Sequence, residues 1–167
     1  MSETYVEPSP DVYRLAVGRL VTGVTVVTSR LGALDHAMTA NAVASVSLDP
    51  LLLLVCVERE ARFHDAIVQS GRWGVSILPA EGRATADWLA TRGRPLHGQL
   101  DRTPTHRGPV TGVALLDGAL ATLECETTDA HVAGDHTIVV GRVCSVEITD
   151  QAGPALVYYR GRYESLA

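Results

Sequence analysis

The chain has 167 residues, of which 46% are hydrophobic and 20% charged, with a net charge of -5. That length buries one good core and is too short for two ordinary domains, so residues 1–167 read as a single domain. The acidic balance lacks any long basic stretch and excludes the electrostatic footprint of a nucleic-acid binder, and no apolar run approaches the roughly 18 residues that cross a bilayer.

Residues 1–10 are polar, lack the charged and apolar blocks of a signal peptide, and are expected to be flexible in a soluble, cytoplasmic protein. Ser9, Pro10 and Asp11 then form a helix start: a hydroxyl cap, a proline in the first turn and an acid that suits the helix dipole. Tyr13, Ala16, Val17 and Leu20 follow the spacing of one apolar face, which predicts a helix ending near Gly23. Val24 to Thr28 is β-branched throughout and reads as a strand, with Leu31 to His36 as the hairpin turn after it. Ala44 to Leu48 alternates. Leu51 to Val57 is apolar at every position, which predicts a strand covered on both sides.

Phe63 to Ser70 is expected to be a short helix, Trp73 to Leu78 a strand, and Ala84 to Thr91 a second short helix. Arg92 to Pro109 has no periodicity and is expected to be a mobile flap. Ala119 to Glu126, His136 to Val146 and Ala155 to Tyr159 supply three further strands. Many strands, few short helices and no βαβ alternation point to a closed antiparallel barrel, a mainly β fold.

All fourteen basic residues are arginines, which excludes a Schiff-base lysine and a phosphate-binding P-loop. Cys56, Cys125 and Cys144 are far apart, show no CxxC spacing and are expected to be buried reduced thiols. The motifs HExxH, GxSxG and GxGxxG are absent, and no histidine pair has ligand spacing, so no metal site is expected.

Three segments could carry chemistry. From Ala37 to Pro50, small and hydroxylated residues surround Asn41, the only asparagine of the chain. Such residues let a planar ligand approach the backbone, and they equally suit a hairpin with a serine-rich exposed face. Arg59 and Arg62 open the Phe63 helix, where backbone N–H groups favour an anion; solvated surface arginines are the alternative. Gly134-Asp135-His136 places an imidazole at a strand start, as a ligand contact or as an ordinary turn residue.

Taken in order, the segments resemble the short-chain flavin reductases, the reductase components of two-component flavin-dependent monooxygenases. The resemblance runs from Thr22–Thr28 through Met38-Thr39-Ala40-Asn41, Ser45–Pro50 and Leu54–Val57. It continues in Gly134-Asp135-His136 with Ile138–Val143, and ends in Tyr158-Tyr159-Arg160-Gly161-Arg162-Tyr163. It implies an FMN-binding split β-barrel of antiparallel, Greek-key type that pairs into a homodimer. It implies also that FMN or FAD is reduced by hydride from NADH or NADPH, then released to a partner oxygenase.

By the same resemblance, Met38, Thr39, Ala40, Asn41, Ser45, Val46 and Ser47 line the isoalloxazine and ribityl chain. Cys56, Val57, Glu58, Arg59 and Arg62 hold the phosphate. His136 meets the nicotinamide with Asp135 orienting its turn, and Arg160 and Tyr163 help close the pocket over it. The chain departs from the family where Ala42 replaces a serine, and where Glu60, Arg62 and Phe63 replace a Ser/Thr cluster. It departs again where Arg94-Pro95-Leu96-His97-Gly98 stands in place of Asp-Lys-Phe, with His97 as the cofactor contact there. A flavin carrier or sensor, or an oxidoreductase using a deazaflavin or its own substrate, would use the same barrel.

Overall fold

The computed structural model describes residues 6–149 and 153–166. Helix α1 spans Pro10–Val17, capped by the Ser9 hydroxyl, which accepts from the Val12 N–H at 3.3 Å. It ends well before the expected Gly23. The Gly18 N–H closes onto the Arg14 carbonyl at 2.8 Å, and the Gly18 carbonyl accepts from the Arg160 N–H at 2.7 Å, which turns the chain away. Thr22–Gly23 then forms β1, pairing with Val157 and Tyr158.

Strands β2 (Thr25–Leu31) and β3 (Leu34–Ala40) form a hairpin paired from Leu31 and Leu34 to Thr25 and Ala40. The turn is shorter than expected. Gly32 takes a positive φ of 61°, and Leu34 to His36, expected as turn, is already strand. A second hairpin joins β4 (Val43–Leu48) to β5 (Leu51–Glu58). Val55 and Val57 are fully buried while Leu52, Leu54 and Cys56 on the opposite face are only half-buried, so β5 is fully covered on one face and not on both.

Helix α2 (Arg62–Ser70) precedes β6 (Arg72–Ile77), and a single 3₁₀ turn leads into α3 (Arg83–Ala90). The short strands β7 (Thr105–Arg107) and β8 (Ala114–Leu116) pair with each other. Strands β9 (Ala121–Ala133) and β10 (His136–Ile148) form a long hairpin, and β11 (Ala155–Tyr159) pairs with β12 (Arg162–Leu166). The outer half of β9, from Thr127 to Ala133, is polar and mostly exposed; pairing with β10 rather than burial makes it strand.

The main sheet has seven strands in the order β3-β2-β6-β9-β10-β5-β4, and every pairing is antiparallel. The β1-β11-β12 sheet is stitched to it through Val24, Leu78 and Leu156, each donating to the next carbonyl at 3.0 Å. The result is a split antiparallel barrel. One core cluster surrounds the fully buried Trp73, with Phe63 and Ile67 of α2 packed on it; a second gathers Val24, Val26, Leu78 and Leu156 beneath Ala86 and Leu89 of α3.

The segment after α3, expected as a mobile flap, is pinned to the free edge of β3. The Gln99 side-chain oxygen accepts from the Ala37 N–H at 3.1 Å, and the Arg94 guanidinium donates to the Ala37 carbonyl. Arg107 grips Asp35 with two bonds of 2.6 and 2.7 Å. An open strand edge is thereby satisfied by side chains.

All three cysteines are free; only Cys125 is fully buried, while Cys56 and Cys144 are half-buried. Burial, with help from Cys144 and Glu124, pushes the Cys125 thiol up to about 12.

Candidate active site

A cleft of about 440 Å³ opens between the end of β3, the end of β5 and the start of α2, closed on its far side by the segment after α3. Met38, Thr39, Ala40 and Asn41 form one wall, because the β2–β3 hairpin carries that stretch to the sheet edge. Cys56 and Glu58 form a second. Ala61, Arg62 and Phe63 supply the helix start, and His136 stands at the rim.

Strand alternation decides which residues of 56–59 take part. Cys56 and Glu58 face the cleft, whereas Val57 faces the core and is fully buried. Arg59 is exposed outside the cleft, its N–H donating to the Asp135 carbonyl at 2.9 Å. Glu58 is in register with His136 across β5 and β10, which sets the carboxylate beside the imidazole.

Other expected residues lie apart. Ser45, Val46 and Ser47 sit on β4 at the sheet's edge and line no part of the cleft; the Ser47 hydroxyl accepts from the Asp49 N–H at 3.2 Å. His97 is exposed and does not line the cleft, whereas the neighbouring Arg94 does. Tyr163 packs edge-on against Tyr158, with ring centres 5.5 Å apart. Arg160 borders a second cavity of about 600 Å³ between α1 and the β11–β12 turn. Asn41 lines both cavities and donates to the Thr22 hydroxyl at 3.2 Å.

The charged lining of the cleft mixes Arg62, Arg92 and Arg94 with Glu58 and Glu60. Glu58 accepts two bonds from Arg92, at 2.8 and 3.0 Å. The Asp135 carboxylate lies 2.7 Å from His136 Nδ1, and that hydrogen bond holds the exposed Asp135 carboxyl below its ordinary range. A carboxylate on Nδ1–H leaves Nε2 as the ring atom free for a ligand. His36 also borders the cleft, 8% exposed; burial pushes its pKa down, and the Arg62 charge adds to this against the opposing pull of Asp35.

Arg62 donates to the Arg94 carbonyl, and Arg94 donates to the carbonyls of Ala37 and Thr91. Burial lowers the Arg94 pKa, and the Arg62 charge lowers it further. Arg92, Arg94 and Gln99 all line the cleft and were missed from sequence; the only signal was the departure from the family pattern at residues 94–98.

The flavin reductase like domain family model matches residues 17–167. The chain is 37% identical to the NADH-dependent FMN reductase AsuE2 of Streptomyces nodosus subsp. asukaensis, over 96% of this chain and 86% of that protein. Among solved structures it resembles BorF, the flavin reductase component of a bacterial two-component tryptophan halogenase, at a TM-score of 0.89 and 45% identity, covering 95% and 98% of the two chains. It resembles the NADH:FAD oxidoreductase SgcE6 of Streptomyces globisporus C-1027 at a TM-score of 0.90 and 34% identity, covering 100% and 99%. With the same barrel and this much shared sequence, the chain belongs to the flavin reductase-like family and is a flavin reductase of the split-barrel fold.

Proposed function

We propose that the cleft holds FMN or FAD and that the protein reduces it with NADH or NADPH, then passes reduced flavin to a partner monooxygenase. The observation that carries this reading is the cleft itself. Its walls of small residues, Ala40, Ala42 and Ala61, admit a planar ring against the backbone, and Arg62 and Arg94 line it as cationic groups suited to a phosphate.

When bound, the flavin supplies the ring nitrogen that accepts a hydride from the nicotinamide; stacking and alignment of the two rings are what the protein must provide. Residues 38–41 and Cys56 form the surface that positions the isoalloxazine. Arg62 takes the phosphate. His136, held by Asp135 through Nδ1, presents Nε2 at the rim, where a nicotinamide would approach. A cleft open to solvent on that side suits a flavin that leaves after reduction.

The reading extends to a homodimer. The helix α1 buries nothing within the protomer, leaving Val12, Tyr13, Leu15 and Val17 exposed. Val46, Leu48, Leu51, Val146 and Ile148 are exposed on the adjoining strands β4, β5 and β10. Apolar surface on this scale is what a stable interface covers. Assembly would decide whether Ser45, Val46 and Ser47 meet flavin, and whether Arg160 and Tyr163 close over the nicotinamide. No helix among the described residues is long and apolar enough to cross a membrane, and free thiols suit the reducing cytoplasm, where NADH is available.

His136→Ala is expected to raise KM for NADH about tenfold, the worth of one hydrogen bond, while FMN affinity changes less than about twofold. Steady-state kinetics beside a flavin titration measure both. Loss of flavin binding with an unchanged KM for NADH would overturn the assignment.

A further inference from the structure

Glu58 and Arg92 meet from different walls of the cleft. Glu58 ends β5, and Arg92 lies in the segment after α3 that closes the far side. One terminal nitrogen of Arg92 donates to both Glu58 carboxylate oxygens, at 3.0 and 2.8 Å. Among the described residues this is the one side-chain bond that joins the segment to β5, and it spans the cleft from wall to wall.

The segment itself is anchored elsewhere. Arg94 and Gln99 hold it to Ala37 on the edge of β3, the Trp88 indole N–H donates to the Gln99 carbonyl at 2.9 Å, and Arg62 donates to the Arg94 carbonyl. Breaking the Glu58–Arg92 bond therefore opens the span and leaves the segment in place. The bond is built to break. The Arg92 side chain is 84% exposed and that of Glu58 32%, and water and salt compete strongly for so open an ion pair. Charge separates the pair from flavin binding as such. Glu58 cancels the Arg92 guanidinium, so the two together offer an anion no net charge, unlike Arg62. A neutral, easily opened bond across a cleft retains an occupant by closing over it, not by attracting it.

We propose that the Glu58–Arg92 pair is a latch across the cleft, which opens for flavin to enter and for reduced flavin to leave, and so governs the rate of exchange. This rests on the flavin reading of the cleft and adds to it a control on release. The latch closes over the free and the loaded cleft alike, so weakening it multiplies entry and exit by the same factor and leaves their ratio, the affinity, in place.

Stopped-flow mixing of the full-length protein with FMN, followed by flavin fluorescence, gives kon and koff for the wild type, Arg92→Gln, Glu58→Gln and the double variant. In each single variant both rates should rise together by about two- to fivefold, the gain that loss of one exposed ion pair supplies, with Kd changed less than about twofold. The double variant should be no faster than the singles, because the latch is broken once. Arg92→Gln removes a cation and Glu58→Gln removes an anion. Simple attraction for the FMN phosphate would therefore move koff in opposite directions, up in the first and down in the second, and that result would overturn the latch. Unchanged rates, a rise in only one variant, or singles whose effects multiply in the double variant would overturn it as well. A wild-type protein that takes up no FMN would bring down the flavin reading itself, a result distinct from the others.

Discussion

Replacing Glu124 with leucine should lower the unfolding free energy by about 3–5 kcal/mol, a fall in Tm on the order of 10 °C for a chain of this size. Glu124 is completely buried in β9, yet its carboxylate accepts from the N–H groups of Val110 and Thr111 and from the Thr111 hydroxyl. Removing it orphans those donors and frees the loop packed over it, where Gly108 lies so close that a Cβ would overlap the carboxylate. Burial alone would push the Glu124 carboxyl up; the bonds from Thr111, Val110 and Ser145 outweigh it and hold the carboxyl below its ordinary range. A lowered folded pKa contributes stability that is present above the unfolded value and is lost as pH falls through the folded one. Denaturant melts across the acid range should therefore show the wild type losing stability below about pH 4, and Glu124→Leu losing less there. A cost under about 1 kcal/mol would mean that the loop does not depend on this carboxylate.

The second large effect is expected at Arg62, where Arg62→Ala should weaken FMN binding by roughly tenfold to hundredfold, the range of a charge-assisted phosphate contact. The substitution acts twice. It removes a guanidinium from the lining of the cleft, and it releases the Arg94 carbonyl that holds the neighbouring segment in place. Raising ionic strength should weaken FMN binding to the wild type more than to Arg62→Ala, because the variant has less charge to screen. Titrations at two salt concentrations measure both effects. An FMN affinity unchanged by the substitution would place the phosphate elsewhere.

Local chemistry made much of the barrel legible. The β-branched run of β2, the Ser9 cap of α1, the periodicity of α2 and α3, and the alternating β9 all carry their own signal within a few residues. Strand β3 does not, since Asp35-His36-Ala37-Met38-Thr39-Ala40 has weak β propensity. It becomes an edge strand because β2 pairs on one side and Arg94 and Gln99 satisfy Ala37 on the other, contacts from some sixty residues away in sequence. The end of α1 was likewise set by a distant partner, the Arg160 N–H on the Gly18 carbonyl.

The site divides in the same way. Residues 38–41, Cys56, Glu58, Arg62 and His136 line one cleft. Alternation within β5 would already have removed Val57, whose neighbours Cys56 and Glu58 take the cleft face. Arg94 and Gln99 had no local signal, for a loop without periodicity does not show which of its side chains turns inward. His97 lay in that loop and does not line the cleft. Ser45, Ser47, Arg160 and Tyr163 lie on surfaces beyond the cleft.

The most direct test of the central claim is NADH oxidation by the purified protein with FMN, with FAD and with no flavin, and NADPH run in parallel. A rapid loss of NADH absorbance that requires added flavin is the expected result, and the flavin giving the higher kcat/KM would be the natural one. Measurable flavin binding without oxidation of either nicotinamide would contradict the reductase and leave a flavin-binding barrel of another purpose.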